Sequence, residues 1–81
     1  MDDNSIQYKG FIIAAHPKLL EGLERWSIEI TIARDTGGEP STRDFSARGT
    51  YETREEALEE CFNFGRRIID GKVLGCNVHG L

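Results

Sequence analysis

Cysteine is scarce in this sequence. Cys61 and Cys76 are its only two, too few for the bridged framework that staples small secreted domains. Both are expected to be reduced thiols in a cytoplasm. The opening Met1-Asp2-Asp3-Asn4-Ser5 is acidic and polar. It lacks the basic start and apolar core of a signal peptide. No apolar run approaches the ~20 residues of a membrane span, so no membrane partner is expected. No block of like charge marks a tail, and no repeat, linker or low-complexity segment breaks the chain. Positive charge is also short: 10 Lys and Arg stand against 14 Asp and Glu, a net −4. A nonspecific nucleic-acid binder needs the opposite balance to neutralise phosphates.

What is present suits one small globular domain spanning residues 1–81. Hydrophobic residues make up 38% and charged residues 30% of the 81 positions, a globular and not a disordered balance. A domain of this size buries only about 60–65% of its unfolded surface, so its stability is thin. Chains this small often gain stability from disulfides, metals or self-association.

Residues 1–6 read as a frayed terminus. The first strand is expected over residues 8–15, with Phe11, Ile12 and Ile13 inside it and Pro17 stopping it. Its apolar residues fall on both faces, so pattern alone leaves the inward face open. Residues 16–24 form a connection in which Leu19, Leu20 and Leu23 make a helical turn or cap the core. The second strand is the clearest. Trp26, Ile28, Ile30 and Ile32 alternate with Ser27, Glu29, Thr31 and Ala33, which sends the first set inward. Residues 35–40 read as a turn around Gly37-Gly38, closed by Pro40. A third strand follows over residues 42–50, with Phe45 and Ala47 on one face.

Thr53-Arg54-Glu55-Glu56 is a capping box, and the helix it starts runs to about residue 70. Ala57, Leu58, Cys61, Phe62, Phe64, Gly65, Ile68 and Ile69 form one apolar stripe. Acids lead and arginines trail, as the helix dipole favours. Gly71 is a natural C-terminal cap. Gly65, within the stripe, is expected to let the helix approach the sheet closely. Residues 72–81 offer a short final strand or a tail. The pattern predicts an α+β fold: a three- to four-stranded antiparallel sheet on one long C-terminal amphipathic helix.

Four groups of residues are candidates for chemistry. His16, Cys61, Cys76 and His79 could supply metal ligands, but only Cys76 and His79 have the close spacing of structural zinc sites. Cys61 lies in the apolar stripe, where a cysteine acts as a small hydrophobe. Cys76 with His79 is the one nucleophile–base pair by spacing. Glu55, Glu56, Glu59 and Glu60 read as a solvated acidic face at a helix N-terminus. Gly37-Gly38 lacks the Gly-Lys-Ser of a phosphate loop. No catalytic residue, metal site or cofactor is assigned, and the chain is expected not to be an enzyme.

Two resemblances bear on function. Tyr8-Lys9-Gly10 opening a strand, Thr53-x-x-Glu56-Ala57 opening the helix and Gly65-Arg66-Arg67-Ile68-Ile69-Asp70-Gly71 closing it resemble a group of short bacterial hypothetical proteins of unknown function. That resemblance implies a bacterial source and no activity. Tyr8-Lys9-Gly10, Arg25-Trp26-Ser27-Ile28-Glu29-Ile30 and Gly49-Thr50-Tyr51-Glu52-Thr53-Arg54-Glu55-Glu56-Ala57 are similar to the plant AP2-type DNA-binding domain and its relatives in phage integrases. Those domains pack three antiparallel strands on one helix and read DNA with the sheet. The resemblance implies DNA contacts from Lys9, Arg25, Arg34, Arg43 and Arg48. Where that family has arginines on its first strand, this chain has Phe11, Ile12, Ile13 and Ala14.

The expected function is a non-catalytic protein–protein interaction or homodimerising module, with Tyr8, Phe11 and Ile13 as its partner surface. The alternative is a DNA-binding module using the sheet.

Overall fold

The computed structural model describes residues 4–34, 41–78 and 81. The chain runs β1 (Ser5–Tyr8), β2 (Phe11–Ala15), β3 (Lys18–Leu20), β4 (Arg25–Ser27), β5 (Glu29–Arg34), β6 (Thr42–Ser46) and α1 (Arg54–Ile69). The main sheet has the order β1-β2-β5-β6 with every pair antiparallel, and β3 and β4 form a second, two-stranded sheet. The fold is the expected α+β arrangement, reached with different strands.

The expected first strand over residues 8–15 is in fact the end of one hairpin arm, the turn and the second arm. Lys9 and Gly10 have φ of +50° and +83°, and Tyr8 pairs with Phe11. Two left-handed residues make the mirror-image turn whose twist suits antiparallel strands. Residues 5 and 6 are therefore not a frayed end but half of β1, and Ile6 packs against the core. The expected second strand is broken at Ile28, yet its inward set holds: Ile28, Ile30 and Ile32 are buried and Trp26 is packed beside them. The third strand ends at Ser46, before the chain turns at Gly49 with φ +104°. The expected turn over residues 35–40 lies outside the described residues.

The N-cap half of the capping box forms, and the Glu56 carboxylate turns back to the Thr53 hydroxyl. The Glu56 amide donates to Thr53 Oγ1 at 3.1 Å, and the Thr53 hydroxyl donates to Glu56 Oε1 at 3.3 Å. At the far end Gly71 adopts φ +75°. Its amide donates to the Ile68 carbonyl and that of Lys72 to the Arg67 carbonyl, the paired bonds of a Schellman cap. The final strand does not form among the described residues. Gly71 and Gly75 are both left-handed, so residues 73–75 bend and turn. Leu81 comes back into the core.

The helix packs on β2 and β5. A Cβ added at Gly65 would lie 2.6 Å from Ile13 Cγ2, closer than carbon atoms pack. Ile13 has no exposed surface. Gly65 is thus the point at which helix and sheet touch, and it decides which face of β2 turns inward. Gly65→Ala gains about 1 kcal/mol of helix propensity but overpacks the core, which typically costs about 1–3 kcal/mol. Urea unfolding is expected to show a net loss of stability. Combining the change with Ile13→Val is expected to recover part of it. A more stable Gly65→Ala protein would contradict the close contact.

Candidate functional site

The second hairpin departs most from the reading of residues 16–24 as a helical turn or core cap. Lys18, Leu19 and Leu20 pair with Ser27, Trp26 and Arg25. The turn between them uses Gly22 at φ +86° and Glu24 at φ +52°. A second tie holds the base, where Trp26 and Tyr51 exchange backbone hydrogen bonds of 2.8 and 2.9 Å.

This hairpin carries an open groove of about 470 Å³, lined by Leu19, Leu20, Glu21, Gly22, Glu24 and Trp26. Leu19 is 48% and Leu23 65% exposed. Cross-strand register puts Leu19 beside Trp26. Glu21 and Glu24 are exposed and, among the described residues, form no ion pair. Arg25, their neighbour, is engaged elsewhere: its Nε donates to Thr50 Oγ1 at 2.5 Å, its Nη2 to the Thr50 carbonyl at 3.1 Å, and Nη1 lies 3.9 Å from Glu52. The result is an apolar floor with an uncompensated acidic rim. The signal for it was present in the sequence: two short runs separated by four residues that include glycine read as a hairpin.

The residues expected to form a partner surface turn the other way. Ile13 lies wholly beneath the helix, so it offers nothing to a partner. Tyr8 and Phe11 share its face through the β1–β2 pairing and pack on the core. The outward positions of β2 are Ile12 and Ala14, which the register sets beside Gln7, Ala33, Ser5 and Thr31.

The five cations expected to contact DNA do not share a face. Lys9 Nζ donates to Asp70 Oδ1 at 2.6 Å. Arg34 pairs with Phe11, its guanidinium 6.0 Å from the ring centre, and Arg43 pairs with Ile32. Both therefore occupy register positions on the helix side of the sheet. Arg43 also donates to the Asn77 carbonyl at 3.1 Å. Arg25 is held by Thr50, and Arg48 is exposed beyond the end of β6. The outer face of the sheet carries Glu29, Thr31, Ala33, Thr42, Asp44 and Ser46 along β5 and β6. Among the described residues no Lys or Arg occupies an outer register position.

That outer face does hold a polar chain. The His16 Nε2 lies 3.1 Å from Thr31 Oγ1, and the Thr31 hydroxyl donates to Asp44 Oδ1 at 2.8 Å. The hydroxyl proton is spent on the carboxylate, so Thr31 accepts from the imidazole and is not activated by it. Cys61 lies buried on the helix face, 3.7 Å from the Glu29 carbonyl. Burial pushes its thiol up from its usual range, and a thiol kept protonated is a poor nucleophile. The Cys61 thiol meets the His16 backbone, but the imidazole is turned to Thr31 on the outer face of the sheet. His79 lies outside the described residues, and among those described no three His, Cys, Asp or Glu gather as metal ligands.

Asp70 joins the helix end to the first hairpin. It accepts from Lys9 and, at 2.8 Å, from the Tyr8 hydroxyl. The hydrogen bond from Lys9, then that from Tyr8, holds its carboxyl below the usual range, and Lys9 is raised in turn. A carboxylate with a lowered folded-state pKa stabilises the fold above its unfolded value of about 4 and loses that contribution as pH falls through the folded value. Asp70→Asn is expected to be less stable than wild type near neutral pH. The difference should close on acidification below about pH 4. Urea unfolding of both proteins across this range checks it, and a difference independent of pH would contradict the clamp.

Compared with protein-family models, curated proteins and solved structures, the chain gives no significant match, so the case for a function rests on its own surface.

Proposed function

We propose that this chain is a non-catalytic protein-interaction module that engages its partner through the β3–β4 groove. One observation carries the reading: Leu19, 48% exposed, lines the groove with Leu20 and Trp26, and Leu23, 65% exposed, stands in the hairpin turn between the lining residues Gly22 and Glu24. Burying a leucine side chain is worth about 1.5–3 kcal/mol. In a domain with so thin a margin, large apolar groups left in water at one place support a surface made to be covered. The groove is open and shallow, which suits a protruding side chain of a protein better than an enclosed small molecule.

The reaction-bearing side chains fit a binding module as well. The most buried thiol is held protonated, and the His16–Thr31–Asp44 chain offers no activated nucleophile. The alternative of DNA binding through the sheet draws no support from an outer face bearing Glu29 and Asp44.

A photocrosslinking amino acid placed at position 23 tests the reading in the cells that make the protein. A discrete protein adduct is expected, absent when the probe is at Glu59 on the exposed helix face and abolished by Leu19→Asp. Identical adduct patterns from both positions would overturn it.

A further inference from the structure

We infer that the groove's occupant is a second copy of this chain, which enters with the turn bearing Leu74, so that copies join head to tail. The inference rests on the groove being a docking surface and names what fills it.

Three large hydrophobic residues stand exposed among those described: Leu19, Leu23 and Leu74. Leu19 lines the groove, and Leu23 is in the turn between its lining residues Gly22 and Glu24. Leu74 lies elsewhere and is fully exposed, at 101%. It sits on a turn closed by the Cys76 amide donating to the Val73 carbonyl at 3.2 Å, with Gly75 left-handed at φ +81°. The chain thus presents one apolar knob and one apolar groove.

The charges around them are complementary. The groove rim carries Glu21 and Glu24, both exposed. The knob follows Lys72 by two residues, and Arg67 is in the last helical turn before it. Both cations are exposed, and neither forms an ion pair among the described residues. Apolar contact in the centre with opposite charges at the rim is the usual anatomy of a protein contact. The charges would also orient the approach.

Placement decides the symmetry. The groove adjoins the Trp26–Tyr51 tie, just before the helix begins at its Thr53 cap. The knob follows Asp70, which is clamped to Tyr8 and Lys9 at the opposite end of the sheet. Between them lie the 16 residues of α1, ~24 Å of helix. A molecule cannot fill its own groove, and two copies joined by a single contact leave one knob and one groove, at opposite ends, free to take further copies. Such heterologous contacts propagate into rings or open chains. The contact is far smaller than the ~1,200 Å² of a stable complex, so association is weak and requires high protein concentration.

Sedimentation equilibrium at low salt, from about 10 μM to about 1 mM, spans the affinities expected of so small a contact. The wild-type mass average is expected to climb past the dimer without a plateau, and Trp26 emission, from the only tryptophan, to shift with it. Leu74→Asp alone and Glu21→Lys/Glu24→Lys together should each stay monomeric. Leu74→Asp has an intact groove and the double variant an intact knob, so an equal mixture should form dimers and stop there. All the altered side chains are exposed, and thermal unfolding verifies that the variants fold. A wild type that remains monomeric, or a Leu74→Asp protein that associates as wild type does, overturns the inference. So does a mixture that forms no dimer. A monomer that still gives Leu19-dependent adducts from position 23 removes the second copy and keeps the groove. A monomer without them removes both.

Discussion

The contact between Gly65 and Ile13 is the constraint on which the rest of the molecule depends. Strand side chains have period two, so slipping β2 by one residue would exchange its two apolar faces. Sequence pattern does not choose between them, because Phe11, Ile13 and Ala15 are as apolar as Ile12 and Ala14. The helix chooses, since only at a glycine can it come close enough for Ile13 to lie fully covered. Once Ile13 faces in, pairing carries the choice outward. Ile6 and Ile32 face the same side, and so do Tyr8, Phe11, Ile30 and Phe45. The clamp of Tyr8 and Lys9 on Asp70 follows from that choice, because it places the hairpin turn beside the end of the helix.

Much of this was legible in the sequence where a local cause acts alone. The Thr53 capping box, the Ile28, Ile30 and Ile32 alternation, the helical stripe and the role of Gly65 all follow from spacing and from residue type. The errors arose where two local causes compete. Lys9-Gly10 reads as a strand opening because lysine is not a usual left-handed residue. Its φ of +50° is sustained by a tertiary partner, Asp70, 61 residues away. The break at Ile28 leaves no trace in the alternation because the side chain still faces inward. Residues 73–78 have alternating apolar residues, but Gly71 and Gly75 impose turns that a strand cannot accept.

The candidate surface meets the same competition. A doubly apolar first strand suggests an exposed face, yet Ile13 is fully covered and Tyr8 and Phe11 are half-buried beside it. Leu19, Leu20 and Leu23 read as a helical turn or a cap on the core because large aliphatic side chains are normally covered. A three-residue strand closed by Gly22 cannot reach under the helix, so Leu19 and Leu23 stay in water. Cation positions were equally hard to foresee. Arg34 and Arg43 belong to strands whose outer faces are acidic or neutral, and only register shows that they occupy the helix side.

Small size ties these observations together. With 81 residues, the core is one layer of side chains between four strands and one helix, and little apolar surface can be spared. The buried set is correspondingly economical: three isoleucines of β4–β5, Ile13, Ile68, and small or medium groups such as Ala57 and Cys61. Most other large apolar residues pack half-buried against this set, and the exposed ones, Leu19, Leu23 and Leu74, stand at the β3–β4 hairpin and on the turn after the helix. On the proposed reading an outside surface covers them, and the opposite charge at the two ends makes another copy of the same chain a fitting one.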